Sequence, residues 1–363
     1  MNEFSRFNNS PLLKDYLWES LKVFINFRFN HKDFSKTWNR LPLKSSFYSS
    51  ELLKKFDYQT LIHSPLPNAK ELNASERGAI AKIIQRSLTL TMRETDPATY
   101  MDESTLKVFE LERGVTIAIY GMNADRQLPF QSYIGYTLFK NGIPAAYGGS
   151  WMFGKVAMFG LNIFETFRGG ESGYMMCQLL RVYIHVFSLT YVEVEAYQFG
   201  LDNPDGIRSG AFWFYYRYGF RPIDKTLNTL ANKEFGMIQS KPGYRSSEKV
   251  LLRFTESNIE LQLANHRPIK HTEIAAQISN MINKRYKGNR LIAEQKCIEW
   301  FIQKTKLLVP LNPNENQVLK EVALWANAYN ITSKKQLGFM VEMIRIKPIC
   351  PYAYNELLTQ FFA

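Results

Sequence analysis

The chain has 363 residues, of which 45% are hydrophobic, and its 45 Lys+Arg against 33 Asp+Glu give a formal net charge of +12. This hydrophobic fraction is sufficient for a sizeable core and excludes an intrinsically disordered chain. The best candidate for a membrane span, around residues 175–194, is interrupted by Arg181 and His185, which excludes it as a bilayer-crossing segment.

The cysteines and the N-terminus indicate the compartment. Cys177, Cys297 and Cys350 lie far apart, so they form neither a disulfide framework nor a zinc motif. The first residues lack the basic and apolar regions of a signal peptide. We therefore expect a soluble cytoplasmic protein.

The positive charge lies on the two flanks of the chain. Residues 1–100 have a net charge of +5, residues 101–264 are neutral, and residues 265–363 have a net charge of +7. Such flanks attract acidic partners such as a carrier protein, nucleic acid or membrane lipid, although a lysine-rich solvated surface explains the charge equally simply. We predict a mainly helical N-terminal region (1–100), a core (101–264) and a helical C-terminal region (265–363).

The N-terminal region contains two predicted helices. Apolar residues at helical spacing predict the first between Asn9 and Phe29. The second runs from an N-cap at Ser75 to Met92, before the Asp96-Pro97 pair.

The core begins with predicted strands. Residues 104–122 predict two strands that bend at Arg113-Gly114, and residues 131–154 predict a hairpin at Asn141-Gly142. The next elements are a strand over 156–164, a glycine-rich segment over 167–173, a helix over 172–187 and a strand over 191–199. Alternation in that last strand places Val192 and Val194 on one face and Glu193 and Glu195 on the other.

The remaining elements are mostly helical. A short aromatic helix begins at Ala211 and ends at Gly219, and residues 249–255 predict a final strand. Four C-terminal helices are predicted over 271–286, 290–306, 314–329 and 333–345.

The glycine-rich segment, Phe-Arg-Gly-Gly-Glu-Ser-Gly over 167–173, is the most informative feature. A glycine-rich turn from a strand into a helix exposes backbone N–H groups at the positive end of the helix dipole, which favours phosphate binding. Arg168 adds a cation. Many such turns need glycine only for its backbone freedom, so the turn alone does not define a site.

The order of these elements resembles the GNAT acyltransferase superfamily over roughly residues 105–255. Arg168, Gly169, Gly170, Glu171, Ser172 and Gly173 match that family's pyrophosphate turn, and its second motif is similar to Ala211, Phe214-Tyr215 and Gly219-Phe220. The resemblance implies an α/β (α+β) fold with a mixed, mainly antiparallel sheet flanked by helices, here with helical additions at both termini.

The resemblance also implies an activity, the transfer of an acyl group from a thioester to an amine. Acyl-CoA would be the co-substrate, with no permanently bound cofactor and no metal. Arg168, Gly169, Gly170, Ser172 and Gly173 would then hold the pyrophosphate, the backbone N–H of Ile163 would face the thioester carbonyl, and Tyr215 would protonate the leaving thiolate. Tyr215 is alternatively a packing residue of its aromatic helix.

The amine also needs a base, for which Glu165, Glu193 and Glu195 are the candidates. A chain of water molecules is the alternative. The sequence does not identify the acceptor, because acceptor pockets are built from variable loops and added helices.

Glu171 departs from the family pattern, which usually has glycine there. A carboxylate next to a pyrophosphate repels it, so Glu171 must point outward to solvent or the donor is held differently. Two alternatives therefore remain. One is a transferase that takes its acyl group from an acyl-carrier protein or an aminoacyl-tRNA docked on the basic flanks, nucleic acid being otherwise not expected as a partner. The other is a GNAT-like binding module without catalytic activity.

Overall fold

The computed structural model describes residues 6–7, 10–21, 28, 30–93, 96–307 and 310–362, and its centre is one mixed sheet. The described strands are β1 (Lys107–Glu110), β2 (Val115–Gly121), β3 (Ser132–Lys140), β4 (Ile143–Phe153), β5 (Val156–Ile163), β6 (Tyr191–Val194), β7 (Arg221–Pro222) and β8 (Ile259–Gln262). Their order in the sheet is β1-β2-β3-β4-β5-β6-β8-β7. Among these strands β5 and β6 form the one parallel pair, and every other pair is antiparallel.

Two of the connections follow directly from turn chemistry. Asn141 and Gly142, between β3 and β4, have φ values of 48° and 73°. Arg113 and Gly114, between β1 and β2, have φ values of 59° and 69°. Asparagine and glycine tolerate this left-handed region best, and the predicted turn at Asn141-Gly142 between β3 and β4 is confirmed.

Helices surround the sheet. The described α-helices are α1 (Pro11–Ser20), α2 (Tyr58–His63), α3 (Ala74–Leu90), α4 (Asp96–Thr99), α5 (Ser172–Phe187), α6 (Pro204–Ser209), α7 (Ala211–Arg217), α8 (Lys225–Ser240), α9 (Glu248–Phe254), α10 (His271–Tyr286), α11 (Arg290–Thr305), α12 (Pro313–Ala328), α13 (Lys334–Ile346) and α14 (Pro351–Phe361). The mixed, mainly antiparallel sheet flanked by helices is thereby confirmed. No helix in the described part of the chain is long and apolar enough to cross a membrane.

The two faces of the sheet are covered by different helices. α5 is buried along most of its length and packs in one core with β2–β6, α2 and α7. α3 belongs to a second core with Ala118, Tyr120 and Phe139 of β2 and β3. Because both faces are covered, every residue of β2 is buried.

The C-terminal helices α10–α14 have a core of their own. It is centred on Trp325 and includes Phe153 of β4, which joins it to the sheet. α14 also contacts β3, β4 and α5. The predicted helices over 271–286, 290–306, 314–329 and 333–345 are confirmed within one residue at each end.

One predicted strand is wrong. Residues 249–255 form the helix α9, because Ser247 caps its N-terminus by accepting a hydrogen bond from the Val250 N–H. Leu251 and Phe254 are buried three residues apart while Leu252 is exposed, which is a helical and not a strand pattern.

Other boundaries also differ. The strand predicted over 191–199 ends at Val194, and a 3₁₀ turn, Ala196–Phe199, follows. Asn73, not Ser75, caps α3, because its side chain accepts from Glu76 N–H while the Glu76 carboxylate accepts from Asn73 N–H. The first predicted helix is present as α1, and its predicted continuation through residues 22–27 lies outside the described residues.

Candidate functional site

Strands β5 and β6 separate within β5, before the glycine-rich turn begins. They pair only at Val156–Tyr191, Ala157–Val192 and Met158–Glu193. Beyond this point β5 continues to Ile163, whereas β6 ends at Val194. We call the opening between residues 160–163 of β5 and the turn Ala196–Phe199 the notch.

Backbone N–H groups of β5 point into the notch. The Phe164 N–H donates to the Ala145 carbonyl at 3.0 Å, and Ile163 lies opposite Ala146. Hydrogen-bonded and non-hydrogen-bonded pairs alternate along an antiparallel ladder, so the N–H groups of Ile163 and Leu161 point away from β4. The Ile163 N–H has no acceptor among the described residues, and the predicted site residue therefore presents a free donor to the notch.

Gln198 partly fills this opening. Its Oε1 accepts from the Leu161 N–H at 3.3 Å, and its amide lies over Gly160. Gln198 was not identified from the sequence, because it falls near the end of the strand predicted over 191–199. In the structure its side chain accepts the hydrogen bond from β5 that a continuation of β6 beyond Val194 would have accepted.

The glycine-rich turn leads from the notch to the N-terminus of α5. Gly169 has φ of 75°, and a side chain built on it would meet no atom within 4 Å, so the turn is open. The N–H groups of Ser172, Gly173 and Tyr174 accordingly find no acceptor in the described part of the chain. Three free donors at the positive end of a 16-residue helix can bind an anion.

Gly173 is required by close packing. A Cβ atom on Gly173 would lie 1.7 Å from the hydroxyl oxygen of Tyr218, which follows α7. The two motifs that suggested the GNAT resemblance are therefore in direct contact. This contact fixes the start of α5 against α7.

Arg168 is exposed and folds back onto β5. Its Nε donates to the Ile163 carbonyl oxygen at 3.0 Å. This hydrogen bond holds the guanidinium between the end of β5 and the open turn. Arg168, Gly169, Gly170, Ser172 and Gly173 thus lie together, next to Ile163.

Glu171 does not point outward to solvent, so the first of the two alternatives given for this residue is wrong. Its side chain is only 7% exposed and forms ion pairs with Arg113 and, at 2.7 Å, with Lys140. It also accepts from the Leu53 N–H at 3.0 Å. Burial alone would raise the pKa of this carboxyl, but the hydrogen bonds from Lys140, Leu53 and Arg113 outweigh it and lower the pKa to about 2.

The position of the Glu171 carboxylate decides whether its negative charge opposes anion binding at the N-terminus of α5. Glu171 precedes the first helical residue, yet its carboxylate makes no hydrogen bond to the N-terminal N–H groups of α5. Two cations neutralise it from the side of β3 and of the β1–β2 turn. The negative charge therefore does not oppose an anion at the N-terminus of α5. Neither Arg113 nor Lys140 was identified from the sequence, since a sheet register is needed to bring them to residue 171.

Tyr215 lies on α7 and is 3% exposed. Its ring packs edge-on against Phe220, and burial raises the pKa of its hydroxyl well above 10. Burial also raises the pKa of nearby Tyr136, whose hydroxyl donates to the Gly160 carbonyl beside the notch at 2.9 Å. The Tyr215 hydroxyl has no hydrogen-bond partner among the described side chains and backbone.

The candidate bases lie in different environments. Glu165 is exposed in the 3₁₀ turn Glu165–Phe167 at the end of β5, and Glu195 is exposed after β6. Glu193 is buried, with one oxygen bonded to Asn258 at 2.8 Å and the other paired with Lys270. Val192 and Val194 face the core shared with α5, so their predicted placement on one face of β6 is confirmed, whereas Glu195 lies beyond the end of the strand.

The arrangement provides two adjacent donor groups, the Ile163 N–H in the notch and the free N–H groups of α5. No family model matches the chain, and no curated protein and no solved structure matches it significantly. The chemistry of this site is therefore argued from its own geometry.

Proposed function

We propose that the protein is an acyltransferase that moves an acyl group from a thioester, acyl-CoA, to an amine. The observation that carries the proposal is the juxtaposition of the notch with the N-terminus of α5. A single extended ligand that lies along β5 would place one end at the Ile163 N–H and an anionic end at Ser172, Gly173 and Tyr174. A CoA thioester has both features, a carbonyl and a pyrophosphate.

The pyrophosphate would be held mainly by backbone groups. Gly169 and Gly170 have almost no neighbouring atoms, so phosphate oxygens can approach the turn closely. The Arg168 guanidinium, which is hydrogen-bonded to the Ile163 carbonyl, adds a cation at the same place. Because Glu171 is neutralised by Arg113 and Lys140, the charge balance at the turn favours an anion.

The reaction would be a direct displacement. The amine nitrogen bonds to the thioester carbonyl carbon, the carbonyl oxygen gains negative charge, and the Ile163 N–H donates to that oxygen. The C–S bond then breaks, and the electron pair stays on sulfur. The Tyr215 hydroxyl protonates the thiolate, while the proton lost by the amine passes to a carboxylate or to water.

Glu165 suits the role of base better than Glu193. Both oxygens of Glu193 already accept hydrogen bonds within a buried ion pair, so a proton could reach it only if that pair were broken. Glu165 is exposed at the end of β5, where an acceptor amine would approach Ile163.

The order of the core elements supports the same activity. Four antiparallel strands, β2–β5, are followed by the glycine-rich turn, α5, the parallel strand β6 and the aromatic helix α7. This is the order of elements on which the resemblance to the GNAT superfamily rests. The sheet is larger than the usual sheet of that superfamily, and the C-terminal helices α10–α14 are additional.

The test is calorimetric titration of the protein with acetyl-CoA and with decanoyl-CoA. We expect saturable binding of at least one thioester, weakened about tenfold by Arg168→Ala because a charge-assisted phosphate contact is lost. Arg93→Ala removes an equal charge at the exposed end of α3 and serves as the control. Absence of binding to both thioesters would overturn the proposal and favour a carrier-protein donor or a binding module.

A further inference from the structure

A cavity of about 780 Å³ lies at the other end of α5, far from the notch. Its walls come from the segment before α3, the start of β1, the C-terminal end of α5 and the turn between α13 and α14; the lining includes Leu66, Arg77, Lys107, His185, Cys350 and Tyr352. α5 has 16 residues, so the length of this helix, about 24 Å, separates the cavity from the N-terminal turn. The volume is that of a small-molecule site.

Three hydrogen-bond donors of this cavity have no acceptor among the described residues. The Nε of Arg77 is buried and unpaired, and so is the hydroxyl of Tyr352. The Lys107 ammonium lies 4.3 Å above the ring of Tyr352, with no carboxylate paired to it in the described part of the chain. Buried polar groups are nearly always hydrogen-bonded, so the two buried donors without a partner, the Arg77 Nε and the Tyr352 hydroxyl, indicate a missing acceptor.

The charged residues that line the cavity are mainly basic. Lys70 also lines it and pairs with Glu110 at 3.7 Å, and the acidic residue of the lining, Glu71, is exposed. The other walls are apolar, formed by residues such as Leu66, Phe109 and Val186. The cavity therefore combines positive charge with an apolar surface.

The stacking of Tyr352 fixes the geometry of this wall. Its ring stacks on Phe187 of α5, with centroids 5.6 Å apart. The hydroxyl and the Lys107 ammonium are thus held by a rigid aromatic pair at the junction of the sheet and the C-terminal helices. A rigid donor set reduces the entropy cost of binding.

We propose that this cavity is a second binding site, which takes an amphipathic anion whose carboxylate or phosphate accepts hydrogen bonds from Arg77, Lys107 and Tyr352 and whose apolar body lies on Leu66, Phe109 and Val186. The site does not depend on acyl transfer. Its test is a binding measurement, so its failure and the failure of the acyltransferase proposal are distinguishable.

The probes are four octyl compounds measured by calorimetry. Octanoate and octyl phosphate carry the two candidate anions, whereas octan-1-ol and octyltrimethylammonium have the same chain without negative charge. We expect saturable binding of at least one anion, and the tighter of the two identifies the headgroup. No saturable binding of either anion, or equal binding of octan-1-ol, would overturn the proposal.

Variants locate the binding. Arg77→Gln should weaken binding of the anion about tenfold, and Tyr352→Phe should weaken it about fivefold, by loss of one hydrogen bond each. Lys82→Gln removes an exposed charge from the same helix, α3, and should leave binding unchanged. Because the Arg77 Nε is unpaired, Arg77→Gln should not lower the melting temperature of the ligand-free protein, unlike the loss of a structural contact. Unchanged affinity in both variants would contradict the assignment.

Cys350 offers an independent readout, because it is the one of the three cysteines that is not buried, and it lines the cavity. Saturating anion should slow its alkylation by iodoacetamide, and Cys350→Ser should abolish the labelling. Alkylation at the ligand-free rate in the presence of saturating anion would place the binding elsewhere and overturn the proposal.

Discussion

The Glu171 carboxylate, immediately before α5, accepts a hydrogen bond of 2.7 Å from the Nζ of Lys140, the last residue of β3. The partner of this acid is therefore on the sheet and not on the helix that follows it. Arg113 pairs with the same carboxylate. The acidic residue that departs from the resembled motif is thus part of the structural support for the turn, and the donors of α5 stay free for an anion.

The first prediction concerns acid stability. The folded-state pKa of Glu171 is about 2, below its ordinary value of 4.5, so its contribution to stability is fully present above pH 4.5 and is lost as the pH falls from 4.5 toward 2. The shift corresponds to about 3 kcal/mol. The free energy of unfolding of the wild type, measured by urea titration, should fall over this range by more than that of Glu171→Gln.

The control for this measurement is Glu256→Gln, which changes an exposed carboxylate. It should follow the wild-type pH dependence. If the free energy of unfolding of the wild type and of Glu171→Gln depended on pH in the same way, the protonation of Glu171 would not be coupled to folding.

A second prediction separates the charge of Glu171 from its structural role. Lys140→Gln removes one of its two cationic partners and leaves negative charge beside the turn, so acyl-CoA should bind about fivefold more weakly. The double variant Lys140→Gln/Glu171→Gln has no such charge and should recover the wild-type dissociation constant in calorimetry. Failure of the second substitution to restore binding would mean that Lys140 acts on the site in another way.

Gln198 gives a third prediction, because a ligand along β5 has to displace its amide from the Leu161 N–H. Gln198→Ala should tighten acyl-CoA binding about fivefold, the value of one competing hydrogen bond. Gln198→Glu keeps the acceptor and adds negative charge, so it should weaken binding. Changes in the same direction in both variants would rule out competition at the notch.

Tyr215 gives a fourth prediction. Burial raises the pKa of its hydroxyl, so it stays protonated at neutral and mildly alkaline pH and can donate to a thiolate. Tyr215→Phe should lower thiol release from acetyl-CoA in the presence of primary amines by about 100-fold, with the dissociation constant of acetyl-CoA unchanged. Tyr216→Phe, on the same helix, loses a hydrogen bond to Asn232 and should affect stability rather than turnover. Equal turnover in Tyr215→Phe would remove it from the mechanism.

Local patterns predicted those parts of the fold that depend on nearby residues. The helix over 172–187 was predicted with its observed bounds and the hairpin at Asn141-Gly142 within one residue at each end, because periodicity and turn chemistry act over a few residues. The strand predicted over 249–255 was wrong, because an apolar run of this length fits either a strand or a helix. The feature that decides for the helix is the N-cap at Ser247.

The candidate site depended on long-range pairing that no local pattern reveals. The turn at 168–173 was recognisable, yet the orientation of the Ile163 N–H follows from the β4–β5 register. The position of Gln198 follows from the early end of β6 at Val194, and the neutralisation of Glu171 follows from β3. These relationships join residues 17 to 58 positions apart in sequence.

The most direct test of the proposed acyl-CoA site is hydrogen–deuterium exchange of the peptide that covers residues 161–175, with and without saturating acetyl-CoA. The N–H groups of Ile163, Ser172, Gly173 and Tyr174 have no acceptor in the described structure, so they should exchange rapidly in the free protein. Bound acetyl-CoA should slow their exchange while the middle of α5, already protected, stays unchanged. Unaltered exchange of this peptide at saturating acetyl-CoA would contradict the account.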